Sequence, residues 1–136
     1  MSERETGETA WVLDPILEVP HVEAAVLLTG DGLVSASSQA LSPAAAERTA
    51  AIVSTVQGAC RTAAAAFADA EDAQVRQVVI ESEHGYILVA PAADGTCVAA
   101  FGAPEVRLDL LAHRVHSQVA RLGEKATAAG VRGAGA

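Results

Sequence analysis

The clearest pattern of apolar and polar positions lies in a long alanine-rich stretch that ends near Asp69. Apolar residues recur there at intervals of three and four, which is the period of one helix face. Ser42 is a good N-cap, and Pro43 stands where a first helical residue is expected. The pattern predicts a long amphipathic helix over residues 43–69. Its apolar stripe is Ile52, Val53, Val56, Cys60, Ala63 and Phe67.

Runs of apolar and β-branched residues on both sides of this helix predict five strands. Two strands precede it, at residues 22–29 and 33–38, and the turn Gly30-Asp31-Gly32 joins them as a hairpin. Three strands follow it, joined by short links that carry a glycine where a positive φ is expected. These strands are residues 74–82, 86–92 and 96–101, with links at Glu83-His84-Gly85 and Asp94-Gly95. Such links predict an antiparallel meander.

A further helix is predicted at each end of this core. The first spans residues 8–18, where Pro15 leaves two interpretations open. Either the helix is kinked at Pro15, or Asp14 caps a shorter helix that has Pro15 in its first turn. The last helix spans about residues 104–122 and has one apolar face, with Gly123 as its C-terminal stop.

The order of elements, α-β-β-α-β-β-β-α, defines the expected fold class. It predicts an α+β fold in which one five-stranded antiparallel sheet is sandwiched by helices. The 136 residues have the length of a single domain. We expect the domain to span residues 8–123, between a flexible N-terminal tail at 1–7 and a disordered C-terminal tail at 124–136.

Charge narrows the range of partners. Seventeen acidic residues against nine Lys and Arg give a formal net charge of −8. That sign argues against binding the phosphates of duplex nucleic acid and against docking on an anionic membrane surface. No run reaches the roughly 18 apolar residues of a membrane span, so no membrane insertion is expected, and the polar start lacks a secretory signal.

Cys60 and Cys97 lie far apart in apolar surroundings. We expect both as free, buried thiols, in a cytoplasmic protein.

Candidate phosphate and metal sites are sparse. The phosphate-binding pattern GxxxxGK[ST] is absent, and Gly30-Asp31-Gly32 lies in a hairpin instead of opening a helix. His113 and His116 are three residues apart on the last helix and could share a metal with Glu105 and Asp109. Such a site needs further ligands and a supporting shell, so solvated helix residues are the favoured interpretation.

Neither a catalytic nucleophile nor an arginine finger is the favoured interpretation of the sequence. Cys97 paired with His84 would need a lowered thiol pKa, and no helix N-terminus or cation lies near Cys97 in the sequence. Arg48 or Arg61 could act on a partner's phosphates. A solvated residue, or an ion pair with Glu47, is the favoured interpretation. The sequence therefore predicts no enzyme activity, no catalytic residue, no cofactor and no metal.

Three segments of the chain resemble the Roadblock/LC7 family, in its bacterial, MglB-like branch. Together with the order of elements, the resemblance spans about residues 8–123. Its most distinctive motif is GDGLVSAS directly after an apolar strand. The three segments are VPHVEAAVLLTGDGLVSASS (19–38), QVVIESEHGYILVAPAADGTCVAAF (77–101) and PEVRLDLLAHRVHSQVARL (104–122).

The resemblance implies the Roadblock/LC7 fold, which is profilin-like, and a homodimer. In the family's dimers the long helices pair, and neighbouring strands, here residues 74–82, join the two sheets into one. The paired helices form a platform for a small Ras-like GTPase, whose nucleotide cycle the dimer modulates without a catalytic residue of its own. A bacterial signalling complex is implied, with a sensor kinase and a small companion protein of the same operon as further partners.

Two sets of residues are expected to carry these interactions. An alanine-rich helix allows close approach of two backbones, and a helix that is apolar on more than one side is not covered by one sheet face. The expected dimer interface is Ile52, Val56, Ala59, Ala63, Val75 and Val79. The expected contacts with a partner are the polar positions Glu47, Arg48, Thr55, Gln57, Arg61 and Thr62.

Two alternatives stay open. The chain could be a monomer whose long helix lies flat on its sheet. It could also be a profilin- or PAS-like sensory domain that binds a small ligand between helix and sheet, which would need a pocket with convergent polar groups.

Overall fold

The computed structural model describes residues 10–92 and 95–135, with side chains described from residue 11 to residue 125. A 3-10 turn at Ala10–Val12 precedes the regular elements. The helices are α1 (Asp14–Leu17), α2 (Pro43–Ala68) and α3 (Leu108–Gly135). The strands are β1 (Val22–Leu28), β2 (Val34–Ser37), β3 (Val78–Ser82), β4 (Gly85–Pro91) and β5 (Cys97–Gly102).

The five strands form one antiparallel sheet in the order β2-β1-β5-β4-β3. β5 is its central strand, with β1 and β4 on either side, and β2 and β3 are its edges. Helices α1 and α3 pack on one face, and α2 packs on the other. The predicted fold class and order of elements are therefore confirmed.

The sheet separates two apolar cores. Ala25 and Leu27 of β1 belong to the core beneath α1 and α3, whereas Val26 and Leu28 belong to the core beneath α2. Successive side chains of a strand point to opposite faces, so a central strand covered on both faces is apolar at every position. The unbroken apolar run at residues 24–28 of β1 follows from the interior place of this strand in the sheet.

Hydrogen bonds to α3 hold the N-terminal elements against their face of the sheet. The Nε2 of Gln118 donates to the carbonyl oxygen of Val12 at 3.1 Å. The guanidinium of Arg114 donates to the carbonyl oxygen of Pro15 at 2.6 Å. Because these carbonyls lie at a short, broken helix, they have few partners of their own. The side chains of α3 thus complete this layer.

Both terminal helices differ from their predicted bounds. α1 begins at Asp14 with Pro15 in its first turn, which agrees with the shorter of the two interpretations, but the cap residue is Leu13 and no side chain caps the helix. α3 begins at Leu108 and continues through Gly123, so the predicted stop is wrong. A single glycine costs a helix only about 1 kcal/mol.

The predicted tails have different outcomes. Residues 124–135, predicted as part of a disordered tail, continue α3 as helix, because alanine, glutamate and lysine follow Gly123 and favour helix. The predicted tail at residues 1–7 lies outside the described residues, as does residue 136. The domain bounds 8–123 stay a prediction.

β3 is four residues shorter than predicted. The sequence QVRQVVIES indicated a strand over residues 74–82, whereas the strand begins at Val78. Val78 pairs with Val89, and two residues further β4 ends at Pro91, which pairs with β5. In this register Gln77 and Arg76 would face Ala90 and Pro91 of β4 but do not pair with them, and residues 74 and 75 lie beyond the end of β4.

Candidate interaction surface

Only the first part of α2 is packed on the sheet. Its buried residues are Ala46, Ala50, Val53 and Gln57, and none of residues 58–68 is buried. Gly32, in the β1–β2 turn, lies beside Ser54: a Cβ built on Gly32 would be 3.1 Å from the Ser54 Cβ. Since the helix passes the turn at this point, its second half overhangs the end of the sheet.

The predicted apolar stripe of α2 is divided between two faces of the helix. Val53 lies in the core, whereas Ile52 is 58% exposed and Phe67 is 96% exposed. A second row runs along the outward side at spacings of four, three and four, which is one helix face. This outer stripe consists of Ile52, Val56, Ala59 and Ala63, and only Val56 is half-buried. The four α2 members of the expected dimer interface therefore share one accessible face.

The edge strand β3 also leaves apolar side chains accessible. Val79 is 38% exposed and lies opposite Leu88, on the side of α3. Ile80 is 37% exposed and lies opposite Ile87, on the side of α2. Beyond β3 no further strand pairs among the described residues. β3 is thus a short, accessible sheet edge with apolar residues on both faces.

Residues 73–77 lead into β3 and belong to no helix, strand or turn. These residues make no backbone–backbone hydrogen bond with any described residue. Ala73 and Val75 are half-buried, while Gln74 and Arg76 are exposed, which is the alternation of a half-buried strand. Val75, expected at the dimer interface, therefore lies outside β3. Residues 73–77 are referred to below as the return segment.

A groove of about 1320 Å³ separates the return segment from the overhanging half of α2. Its floor includes Leu28, Pro91 and Cys97, where β1, β4 and β5 approach their turns. Its helix wall includes Gln57, Arg61 and Ala65, which are four residues apart and lie on one side of α2. We call this space the return groove.

The expected partner contacts are spread around α2 and do not form one patch. Arg48, Thr55 and Thr62 are exposed and seven residues apart, so they share a face next to the outer stripe. The hydroxyls of both threonines donate to backbone carbonyls one turn earlier, at 3.1 Å each. Glu47 is exposed, and Arg61 is exposed at the rim of the return groove.

Gln57 has a different environment from the other expected partner contacts. It is only 5% exposed, and its Oε1 has no hydrogen-bond partner among the described residues. It follows Ala50 and Val53 at spacings of seven and four, so helical periodicity places it on the buried face. That spacing was the signal by which its burial could have been predicted.

The two cysteines differ in exposure, and both are free. Cys97 is buried as predicted, but Cys60 is only half-buried because it lies in the overhanging part of α2. Burial raises the pKa of the Cys97 thiol to about 11, against a smaller opposing effect of the charge of Arg61. Cys97 pairs with the end of β4, whereas His84 precedes its start. The structure therefore does not bring Cys97 and His84 together.

The histidines of α3 do not form a metal cluster. His116 has its Nε2 2.8 Å from the Oε1 of Gln77, and His113 is exposed. Within the described part of the chain, no group of three or more His, Cys, Asp or Glu side chains could hold a metal ion.

A five-stranded antiparallel sheet between a two-helix layer and one long helix defines an α+β sandwich of the profilin-like class. The sequence profile of the Roadblock/LC7 domain matches residues 9–100. The chain therefore belongs to the Roadblock/LC7 domain family. A comparison with curated proteins finds no match.

Solved structures agree with this assignment. A Roadblock/LC7 domain from Streptomyces avermitilis is 31% identical, with a TM-score of 0.78, over 86% of this chain and 96% of that one. Myxococcus xanthus MglB has the same TM-score at 11% identity, over 91% of this chain and 98% of its own. Profilin IA of Acanthamoeba castellanii has a TM-score of 0.58 at 14% identity, over 87% and 98% of the two chains. The last two show similarity of fold.

None of the helices in the described part of the chain combines the length and the apolarity that a membrane crossing requires.

Proposed function

We propose that this chain is a non-catalytic homodimeric regulator that binds a small Ras-like GTPase and modulates its nucleotide cycle. Membership of the Roadblock/LC7 family supports a GTPase-regulating role. The observation that carries the proposal is the combination of an exposed apolar stripe on α2 with an accessible β3 edge. One protomer leaves both features uncovered, and both fit contact with a protein.

The outer stripe of α2 supports pairing with the same helix of a second copy. Ala59 and Ala63 are small, so two helix backbones can approach closely there. Ile52 and Val56 would then lose their contact with water, which stabilises association by about 25 cal/mol per Å² of apolar surface buried.

The β3 edge supports a second contact between the same two copies. An exposed sheet edge offers unpaired backbone N–H and C=O groups to another strand. The return segment continues β3 in extended form, so an antiparallel partner could pair with residues on both sides of Val78. Val75 and Val79 would then become interface residues, as the sequence predicts.

The GTPase is expected to dock beside the outer stripe. Arg48, Thr55 and Thr62 form an accessible polar row on the adjacent face of α2, and they would remain exposed after the stripes pair. Glu47 and Arg61 are exposed on the side of this row that faces away from the outer stripe, with Arg61 at the rim of the return groove. Gln57 is buried in the protomer, so it acts on such a partner only by supporting the position of α2.

Size-exclusion chromatography with light scattering tests the proposal. The protein is measured alone and after mixing with a Ras-like GTPase encoded nearby, loaded with GDP or with a non-hydrolysable GTP analogue. We expect a dimer that co-elutes with the GTPase in one nucleotide state. A monomer that does not co-elute with the GTPase in either nucleotide state would exclude this function.

Charge reversal tests the docking face. Arg48→Glu together with Arg61→Glu is expected to weaken GTPase binding about tenfold or more without changing the dimer mass, because charge pairs at an interface contribute to affinity. Arg107→Glu is the matched control, since Arg107 is exposed directly before α3 and pairs with Asp109 at 2.8 Å, away from α2. Unchanged binding in the double variant would place the GTPase on another face.

Two other interpretations remain predictions from the sequence. A sensor kinase and a companion protein of the same operon are further partners that the family resemblance implies. The alternative of a small-ligand sensory domain predicts thermal stabilisation by a metabolite in the absence of any GTPase.

A further inference from the structure

We propose that the return groove binds an extended peptide segment of a partner protein, which adds as a strand to the return segment. The five residues of that segment are strand-like in burial and extend for about 17 Å at the rise of a β-strand. They have no backbone partner among the described residues. Extended backbone of this kind is the template on which a peptide adds by main-chain hydrogen bonds.

The groove lies on the inner edge of the return segment. β4 pairs with β3 along the inner edge but ends at Pro91, which is part of the groove floor. An added peptide would lie between the return segment and the end of β4, which do not pair with each other. A second folded copy reaches the outer edge of β3, so the proposed dimer and the peptide use different edges of the same chain.

Gln57 supplies a second, independent indication of a ligand. Its side chain is almost fully buried at the groove wall, and no described residue donates a hydrogen bond to its Oε1. A buried acceptor without a partner costs about 1–3 kcal/mol, so such groups are normally satisfied. The Oε1 of Gln57 could accept a hydrogen bond from a peptide N–H if the helix wall of the groove opened slightly.

The charges of the groove favour a peptide over a phosphate-containing ligand. Arg61 and Arg76 contribute two positive charges, and Glu71 and Asp72 contribute two negative ones, so these lining side chains have no net charge. An anionic ligand would gain little from a balanced set of exposed charges. The apolar floor and the unpaired backbone instead match the alternating side chains and the main chain of a strand.

A displayed library of random peptides of about nine residues is the probe. Peptides are selected on the full chain and depleted on an Ala65→Trp variant, whose indole fills the groove from the helix wall. Ala51→Trp is the matched control, because Ala51 is exposed on α2 and does not line the groove. Affinities of labelled synthetic peptides are then measured by fluorescence anisotropy.

We expect selected peptides to bind the native chain and Ala51→Trp alike, and to bind Ala65→Trp and Gln57→Leu about tenfold or more weakly. The amides of the return segment should exchange more slowly with solvent when the peptide is bound. Gln57→Leu keeps the shape of the wall, so it tests the proposal if Ala65→Trp fails to fold. Equal binding to the native chain and Gln57→Leu would overturn the proposal. Peptides that dissociate the dimer would also overturn the proposal, since they would bind at the outer edge of β3 and not in the return groove.

Discussion

Gly85 is a position in the β3–β5 meander where a side chain is expected to be strongly destabilising. It opens β4 with a φ of +133°, and a Cβ built there would overlap the carbonyl oxygen of Gly102 at the end of β5. Gly85→Ala combines an unfavourable φ with a backbone clash. We expect the free energy of unfolding to fall by about 3 kcal/mol or more, as measured by urea denaturation.

Gly95→Ala separates the two causes of that loss. Gly95 has a φ of +87°, but among the described residues other than its chain neighbours no atom lies within 4 Å of a Cβ built on it. The cost should be about 1–2 kcal/mol, from the backbone conformation alone. Equal losses in the two variants would show that the Gly85–Gly102 contact adds nothing.

The thiol of Cys97 makes the free energy of unfolding depend on pH in the alkaline range. Its folded-state pKa of about 11 exceeds the ordinary value of 9.0, so the folded chain holds a proton that the unfolded chain releases between these values. The free energy of unfolding should therefore fall as pH rises from 9 towards 11. Urea denaturation across this range should show a weaker pH dependence for Cys97→Ala than for the native chain, while Cys60→Ala retains the native slope.

Single residues were predicted well only where their surroundings are local. The positive φ values at Gly32, Gly85 and Gly95 follow from short links between strands. The burial of Gln57 was not predicted, because the polarity of its side chain indicates exposure. Its spacing from Ala50 and Val53 indicates the buried face. The thiol of Cys97 was correctly predicted to be buried, since a central strand is apolar on both faces.

At the scale of elements, α2 is defined by local signals at its start. Ser42 caps the helix: its Oγ accepts a hydrogen bond from the Ala45 N–H at 3.1 Å, and Pro43 occupies the first turn. Ser42→Ala should lower the free energy of unfolding by about 1 kcal/mol. Ser42→Asp, which keeps an acceptor, should retain most of the native stability. A loss as large in Ser42→Asp as in Ser42→Ala would argue against the cap.

Element ends were predicted well where turn or cap residues mark them, and poorly elsewhere. α2 ends at Ala68, one residue from its predicted end, at a left-handed Asp69. β3 was predicted too long because the alternation in its sequence begins before Val78, where pairing with β4 begins. α3 was predicted too short because Gly123 indicated its C-terminal end. Residues that favour helix follow Gly123, and the helix continues through it.

The proposed dimer gives a prediction at the scale of the whole molecule. Ile52→Asp places a charge in the outer stripe, where pairing with a second α2 would bury it at high cost. Light scattering should change from twice the chain mass of 13.8 kDa to a single chain mass. Ile52 is 58% exposed in the protomer, so circular dichroism should show that the fold is retained.

Ala51→Asp is the control for that variant. Ala51 is exposed one position away, on a different face of α2, and should leave the dimer intact. Dissociation by both variants would indicate a general effect of charge on the helix. A dimer that persists in Ile52→Asp would mean that the outer stripe is not its interface.

The sequence by itself determined the order of elements, the antiparallel meander and the long helix, because periodicity, caps and turn residues act over a few neighbouring positions. It also indicated that α2 is apolar on more than one side. Only the tertiary structure decided which side meets the sheet, since that depends on where α2 passes the β1–β2 turn at Ser54. The same packing leaves the second half of α2 overhanging, makes β3 begin only at Val78 and opens the return groove. These features depend on where separate elements stop relative to one another, and no local pattern encodes that.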